Sequence, residues 1–203
     1  MAEKVWNSGR KWAGNLIPAA VYVPLVVAAV TVMWKQNNTW GLGLVLLLAA
    51  LAAAWILTNF CGLWQNGFMS RHLRRELTAD GVDLTDAVFF GYCSPKFQSL
   101  LDAHEDVGYL CFEKDAVIFR GETIEIGFRR GEVKRVMSRP NVHSLLLLGR
   151  WIVVETLDGA RHKFEPRVAN HLLGNLLQAK SLQAKIASCL EGPPSPKAKP
   201  TSK

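Results

Sequence analysis

Two long runs without any Asp, Glu, Lys or Arg dominate the first third of the chain, at residues 12–34 and 40–64. About twenty apolar residues at helical rise are enough to cross the hydrocarbon core of a bilayer. Tryptophan stands at both ends of each run, as expected for an amphipathic ring at headgroup depth. The sequence therefore predicts a hairpin of two transmembrane helices, which leaves enough chain for one soluble domain of ordinary size.

Basic residues surround the predicted hairpin unevenly. Three of them lie in residues 1–11, only Lys35 separates the two helices, and a further group follows the second helix. That last group is Arg71, Arg74 and Arg75. Positive charge near membrane ends favours the cytoplasmic side, so both termini and the soluble domain are expected in the cytosol. The three arginines act either as this topology anchor or as a contact for anionic lipid headgroups.

The formal net charge of +7 resides mainly at the two ends of the chain. Residues 71–192 contain 17 basic and 16 acidic side chains, so the soluble domain is almost neutral as a whole. Nucleic-acid binding usually requires a basic face, and no nucleic-acid partner is expected. The four cysteines have neither disulfide nor zinc-ligand spacing, so we predict free thiols, no metal and no cofactor.

The remainder of the chain divides into three segments. Residues 65–107 are interpreted as a linker and packing segment, in which Asp80-Gly81 ends the second helix and 88–92 form a strand or a buried segment. Residues 108–190 are expected to form the soluble domain. Residues 191–203 are rich in Pro, Lys and Ser, and we expect them to be disordered.

Six or seven short strands are predicted within the soluble domain, including one at 145–148. Alternation in 123–128 places three apolar side chains on one face, and Asp158-Gly159 predicts a hairpin turn. The three side chains are Ile124, Ile126 and Phe128. This spacing of strands is typical of a small antiparallel barrel or sandwich.

An amphipathic helix is predicted to follow the strands. Glu165-Pro166 fits a helix start, because proline is favoured at the first helical position. Apolar residues then recur at spacings of three and four from Val168 to Leu190. Gly192-Pro193-Pro194 is expected to end the helix.

Several stretches carry a resemblance to a known superfold. They are Gly108-Tyr109-Leu110, the run from Asp115 to Gly121, Ile124-Glu125-Ile126, the run from Trp151 to Gly159, and Phe164. Their order resembles that of pleckstrin-homology-like (PH-like) domains, including GRAM-type domains and those of bacterial membrane proteins with two helices. The resemblance covers about residues 108–190.

The resemblance implies a transmembrane hairpin followed by an α+β domain, in which a PH-like antiparallel β-barrel is capped by a C-terminal amphipathic helix. It also implies a bacterial inner (plasma) membrane and a binding function without catalysis. Family members that grip inositol phosphates display several basic residues at the first strand turn. This chain has only Lys114 there, between Glu113 and Asp115, so specific headgroup recognition is not implied.

The densest group of potential ligands and acid/base groups is Asp102, His104, Glu105 and Asp106. Carboxylates and imidazole can hold a hard metal or exchange protons, so an enzyme that uses this cluster is one hypothesis. The alternative, which we favour, is a solvated helix end or loop. The same residues could also order the linker against the barrel.

One local basic run lies within the predicted barrel, and it consists of Arg129, Arg130, Lys134, Arg135 and Arg139. If the strand alternates, Lys134 and Arg135 point to opposite sides, and the run is a charged sheet edge that discourages pairing. The functional alternative is a surface for an acidic partner or for the anionic inner leaflet.

The expected function is a non-catalytic, membrane-anchored module that binds a protein, a peptide or a lipid. The alternatives are a structural subunit of a membrane complex and, less favoured, an enzyme. A protein partner or a homo-oligomer is expected, with anionic lipid as a further partner.

Overall fold

The computed structural model describes residues 4–35, 40–97, 104–141, 144, 149–167 and 173–191. The described chain forms two compact units, one up to Met69 and the other from Ser70 onward. The short predicted strand at 145–148 and the predicted tail beyond Glu191 lie outside the described residues.

Two helices come first, α1 (Ser8–Lys35) and α2 (Trp40–Ala79). By length and composition, the stretch Gly41–Ala79 of α2 could span a membrane, and a shorter apolar stretch covers Ala19–Lys35. Among the described residues one helix therefore meets the requirement for a membrane span. The predicted hairpin of two spans is not confirmed.

Helix α2 continues well past the apolar run and ends where the sequence predicts. Gly81 adopts a left-handed conformation with φ of 82°. Its N–H donates to the Thr78 carbonyl at 3.1 Å, and the Val82 N–H donates to the Leu77 carbonyl at 2.9 Å. These two bonds form a Schellman motif, which satisfies the last carbonyls of the helix and needs a residue that tolerates positive φ.

The second unit is built on a curled antiparallel half-barrel of seven strands, in the order β4-β3-β2-β1-β7-β6-β5. The strands are β1 (Val88–Cys93), β2 (Asp106–Phe112), β3 (Ala116–Gly121), β4 (Glu125–Arg129), β5 (Val133–Arg139), β6 (Trp151–Thr156) and β7 (Arg161–Pro166). A half-barrel that follows a long apolar helix is compatible with a PH-like fold.

The sheet begins earlier than the domain boundary predicted from the sequence. Strand β1 lies in the predicted linker, yet it is the central strand and pairs with both β2 and β7. Five of its six residues are buried. A strand buried on both faces reads as a continuous apolar run instead of an alternating one, which explains why its central position was not predicted.

Alternate residues of the strands face a single hydrophobic core on the inner side of the half-barrel. The predicted face of β4 is confirmed, because Phe128 is buried in this core and Ile124 and Ile126 pack against it. The predicted Asp158-Gly159 turn is also confirmed, with Gly159 at φ of 86°. The largest fully buried core side chains are Tyr92, Phe90, Phe119, Phe164, Leu110, Ile152, Ile186 and Leu190.

The C-terminal helix, α3 (Gly174–Leu190), contributes the other layer of the core. Its buried apolar side chains are Ala179, Leu182, Ile186 and Leu190, whereas Leu177 is 67% exposed. The predicted start at Glu165-Pro166 is wrong, because both residues belong to β7 and Pro166 pairs with Phe90. Proline is tolerated at the end of a strand as it is at the start of a helix. Pro166 alone therefore could not show whether this segment ends a strand or begins a helix.

Candidate functional site

The predicted cluster at residues 102–106 does not converge on one site. Asp102 lies outside the described residues. His104 and Asp106 are buried at 3% and 0% exposure, so the interpretation of a solvated loop or helix end is wrong for both. His104, Glu105 and Asp106 follow one another along the chain, and their side chains contact three different parts of the fold.

Asp106 holds the turn between β3 and β4. Its Oδ2 accepts hydrogen bonds from the backbone N–H groups of Thr123 and Ile124, both at 2.8 Å, and from the Thr123 hydroxyl at 3.1 Å. Its Oδ1 accepts a bond from Val107 N at 2.8 Å. A side chain at Gly121 would collide with Oδ2. The carboxylate is therefore fully engaged in closing a turn.

His104 pairs with a residue that sequence reasoning did not single out. Its Nε2 lies 2.8 Å from Oε2 of Glu165, and each side chain is 4% exposed. The other oxygen of Glu165 accepts a bond from Asn141 Nδ2 at 2.9 Å. The His104 ring lies edge-on to Trp151 at 5.4 Å, and it occupies the space that a side chain at Gly91 would need. A buried carboxylate needs such partners, since desolvation without them is costly.

Glu105 joins its loop to the end of β1. Its Oε2 accepts a hydrogen bond from Ser94 N at 2.9 Å, and its own N–H donates to the Tyr92 carbonyl at 2.9 Å. Both partners of Glu105 lie within the predicted linker, so the expectation that the cluster orders this linker against the barrel stays a prediction. In the described part of the chain, no three His, Cys, Asp or Glu side chains are grouped so that they could hold a metal ion.

The predicted basic run separates into two structural roles. Arg130 caps the end of α3, since its Nε and Nη2 donate to the carbonyls of Cys189 at 3.0 Å and Ser188 at 2.8 Å. A cation at a helix C-terminus also favours the helix dipole. Arg130 lies 3.5 Å from Asp115 as well. Arg129 is exposed at the end of β4.

Lys134 and Arg135 converge on one carboxylate. Strand β5 has an irregularity between Val133 and Arg135, and both Lys134 and Arg135 are exposed. The predicted alternation is therefore wrong at this point, because a bulge breaks the period of two. Lys134 Nζ and Arg135 Nη2 reach the carboxylate of Glu155 at 3.4 and 3.0 Å.

Glu155 is the centre of this group on β6. Arg161 of β7 also donates to it, from Nε at 3.1 Å, while the Glu155 side chain is only 5% exposed. The hydrogen bonds from Arg135 contribute most to lowering the pKa of Glu155 to about 2, and those from Arg161 and Lys134 add to the effect, whereas desolvation opposes it. Three cations therefore share one carboxylate, and the surface keeps a surplus of positive charge.

The predicted anchor arginines lie on the last turns of α2, and all three are exposed. Arg74 also has a structural role, because its Nη1 donates to the Leu84 carbonyl at 3.2 Å. Its guanidinium lies 5.0 Å from the centroid of the Tyr109 ring. Arg71 and Arg75 remain the more accessible candidates for a lipid contact.

The residues that sequence reasoning missed are Asn141, Glu155, Arg161 and Glu165. Each belongs to a cross-strand or strand-to-loop contact, which one-dimensional spacing does not reveal. The scan against protein-family models and the search of curated proteins gave no match to this chain.

Proposed function

We propose that this chain is a non-catalytic, membrane-anchored interaction module, with the half-barrel as its cytosolic binding domain. The exposed apolar surface of α2 carries the proposal. Only 11% of its most apolar stretch is buried, and Val45, Leu48 and Phe60 are 61%, 57% and 69% exposed. Soluble monomers rarely expose contiguous apolar patches above a few hundred Å². A core helix of a soluble protein would be mostly covered, so a bilayer fits this surface better.

The proposal includes α1 as a second span. The Met33 side chain fills the space beside Gly43, where a Cβ would collide with it. The Arg10 guanidinium lies 4.2 Å from the ring centroid of Phe68. These contacts connect the end of α1 with the start of α2, and the start of α1 with a later part of α2. Both support an antiparallel pair of spans.

Binding is favoured over catalysis by the way in which the candidate acid/base groups are used. The Asp106 carboxylate closes a turn, His104 pairs with Glu165, and Glu105 accepts a backbone N–H. A general acid or base must reach the proton that it transfers. Side chains that hold the fold together in this way support a scaffold for recognition.

Alkaline carbonate extraction of membranes from cells that make the full-length chain tests the anchor. We expect the protein to stay in the pellet. The variant Leu51→Arg/Ile56→Arg changes two exposed residues near the centre of the 40–64 run, and less of it should stay in the pellet, since each arginine at a helix centre costs about 2.5–3.5 kcal/mol on insertion scales. The control Leu157→Arg/Leu177→Arg changes two leucines of the second unit, each 67% exposed, and should stay in the pellet.

Recovery of the unmodified chain in the carbonate supernatant would contradict the anchor. A cysteine placed at exposed Lys96 tests the orientation. A membrane-impermeant maleimide should label it only after the cells are opened, whereas labelling in intact cells would reverse the proposed topology.

A further inference from the structure

The two halves of the sheet carry opposite charge. Residues 80–132, which contain β1 to β4, hold 11 Asp and Glu against five Lys and Arg, a net charge of −6. Residues 133–167, which contain β5 to β7, hold seven Lys and Arg against three Asp and Glu, a net charge of +4. The strand order places β2, β3 and β4 on one side of β1 and β7, β6 and β5 on the other. The near-neutral total therefore conceals a dipolar domain.

The positive charge is concentrated on the outer side of the second half, meaning the side away from the hydrophobic core. Cross-strand register aligns Arg135 with Glu155 and Glu155 with Arg161, while Val153 lies opposite Lys163. We call the cations of this surface the basic face: Lys134, Arg135, Arg139, Arg161 and Lys163. Glu155 lies among three of them, Lys134, Arg135 and Arg161, and it is nearly buried.

The first half carries several exposed carboxylates, together with the cations Arg120 and Arg129. Glu125 on β4 is 62% exposed and pairs with Arg120 at 3.0 Å. Glu113 and Asp83 are also exposed. Burial contributes most to raising the pKa of the Cys111 thiol, and the charges of Glu113, Asp83 and Glu125 add to it, whereas Arg120 opposes it. Asp83 precedes β1, Glu113 directly follows β2, and Glu125 opens β4. We call Asp83, Glu113 and Glu125 the acidic face.

We propose that the basic face of one copy binds the acidic face of a second copy, so that the half-barrels associate head to tail. Opposite faces on the same chain make each copy a partner for the next, as in a heterologous interface. Complementary charges across an interface steer the diffusional encounter of two proteins and fix how their surfaces align. The inference rests on the proposed membrane anchor. Confinement to a membrane raises the effective concentration of the copies.

The test uses two charge-reversed forms of the full-length chain with different affinity tags. The first form, Lys134→Glu/Arg139→Glu, lowers the net charge of the basic face, Glu155 included, from +4 to zero, and Glu155 still keeps its two arginine partners. The second form, Glu113→Lys/Glu125→Lys, has two basic faces. We expect neither form to associate with itself in detergent micelles. Mixed together, the two forms should co-purify, because the unchanged acidic face of the first fits the unchanged basic face of the second.

The dependence of co-purification on salt and a matched control variant test whether the association is electrostatic and specific to the two faces. The Debye length falls from about 10 Å at 0.1 M salt to about 3 Å at 1 M, so co-purification should fall by roughly tenfold or more. The control, Lys96→Glu/Lys180→Glu, reverses two exposed lysines outside both faces and should associate like the unmodified chain. Thermal unfolding is measured for every form to find any that fails to fold. If a charge-reversed form does not fold, the neutral variants Lys134→Gln and Glu113→Gln replace the two charge-reversed forms.

Failure of the mixed forms to co-purify at low salt overturns the proposal. So does co-purification of unmodified chains that appears only when anionic phosphatidylglycerol is added, since the basic face would then bind lipid. Carbonate extraction of the same forms is read separately. If both forms stay in the membrane pellet but do not co-purify when mixed, the head-to-tail contact is disproved and the anchor is left intact.

Discussion

The carboxylate of Glu191, at the C-terminal end of α3, accepts a hydrogen bond of 2.6 Å from the backbone N–H of Val136 in edge strand β5. Gln183, on the same helix, donates from Nε2 to the Val136 carbonyl at 3.3 Å. A neighbouring strand would offer an acceptor and a donor at these two positions. The helix side chains thus cover an edge that would otherwise be open to pairing with another chain.

Removal of the Glu191 carboxylate should therefore expose this edge. We expect Glu191→Ala to lower the free energy of unfolding by about 1–2 kcal/mol, because a hydrogen bond to a charged group is lost. Glu191→Gln keeps an acceptor oxygen and should retain most of the stability. Denaturant unfolding of the full-length protein measures both, and equal stability of the Ala and Gln variants would contradict a role for the acceptor.

Asp106 should behave as a structural residue. Asp106→Ala removes the buried acceptor of the Thr123 and Ile124 N–H groups in a partly exposed turn, so we expect a loss of about 1–3 kcal/mol. Asp106→Asn keeps one acceptor oxygen and should lose less. If Asp106→Ala unfolds like the unmodified chain, Asp106 is not a structural residue and is again a candidate functional group. Amide hydrogen exchange at residues 121–124 locates the effect.

Gly91 should not tolerate a side chain. A Cβ at Gly91 would overlap the His104 ring, which is held by Glu165 and cannot move away freely. We expect Gly91→Ala to cost about 1–3 kcal/mol, in the range of overpacked cores. The matched control is Gly127→Ala in β4, where the nearest atom, Cγ1 of Ile118, would be 3.8 Å away. Similar unfolding midpoints for the two variants would show that His104 can relocate.

Local patterns in the sequence predicted the helices and most of the sheet, and long-range pairing accounts for the errors. The alternation in β4 and the Asp-Gly turn are local, and both predictions hold. The central position of β1 depends on two partners far along the chain, and the contact of Glu165 with His104 joins residues 61 positions apart. The bulge at Lys134 is a backbone irregularity that leaves no compositional mark.

The sequence contains a charge pattern that the net charge of the whole domain hides. The sum over residues 71–192 is nearly zero, although the halves that meet at β1 differ in sign. Counting charge by predicted strand would have found the basic face without a structure. The convergence of Lys134 and Arg135 on Glu155, by contrast, required the register of β5 on β6.

Acid titration should reveal the contribution of Glu155. Its pKa is about 2 in the folded chain, compared with an ordinary value of 4.5. A carboxylate whose folded pKa is lowered stabilises the fold above its unfolded pKa, and this stability is lost as the pH falls through the folded pKa. The unmodified chain should therefore exceed Glu155→Gln in stability by a constant amount above about pH 5, and the difference should shrink between pH 4.5 and 2.

The measurement is the free energy of unfolding of both forms at a series of pH values. Glu125→Gln removes an exposed carboxylate and serves as the control, with a small difference from the unmodified chain throughout. High salt should reduce the Glu155 difference only partly, because the carboxylate is nearly buried beneath its arginines. A difference between the unmodified chain and Glu155→Gln that does not vary between pH 5 and 2 would contradict the lowered pKa. The basic face would then owe its geometry to the sheet register alone.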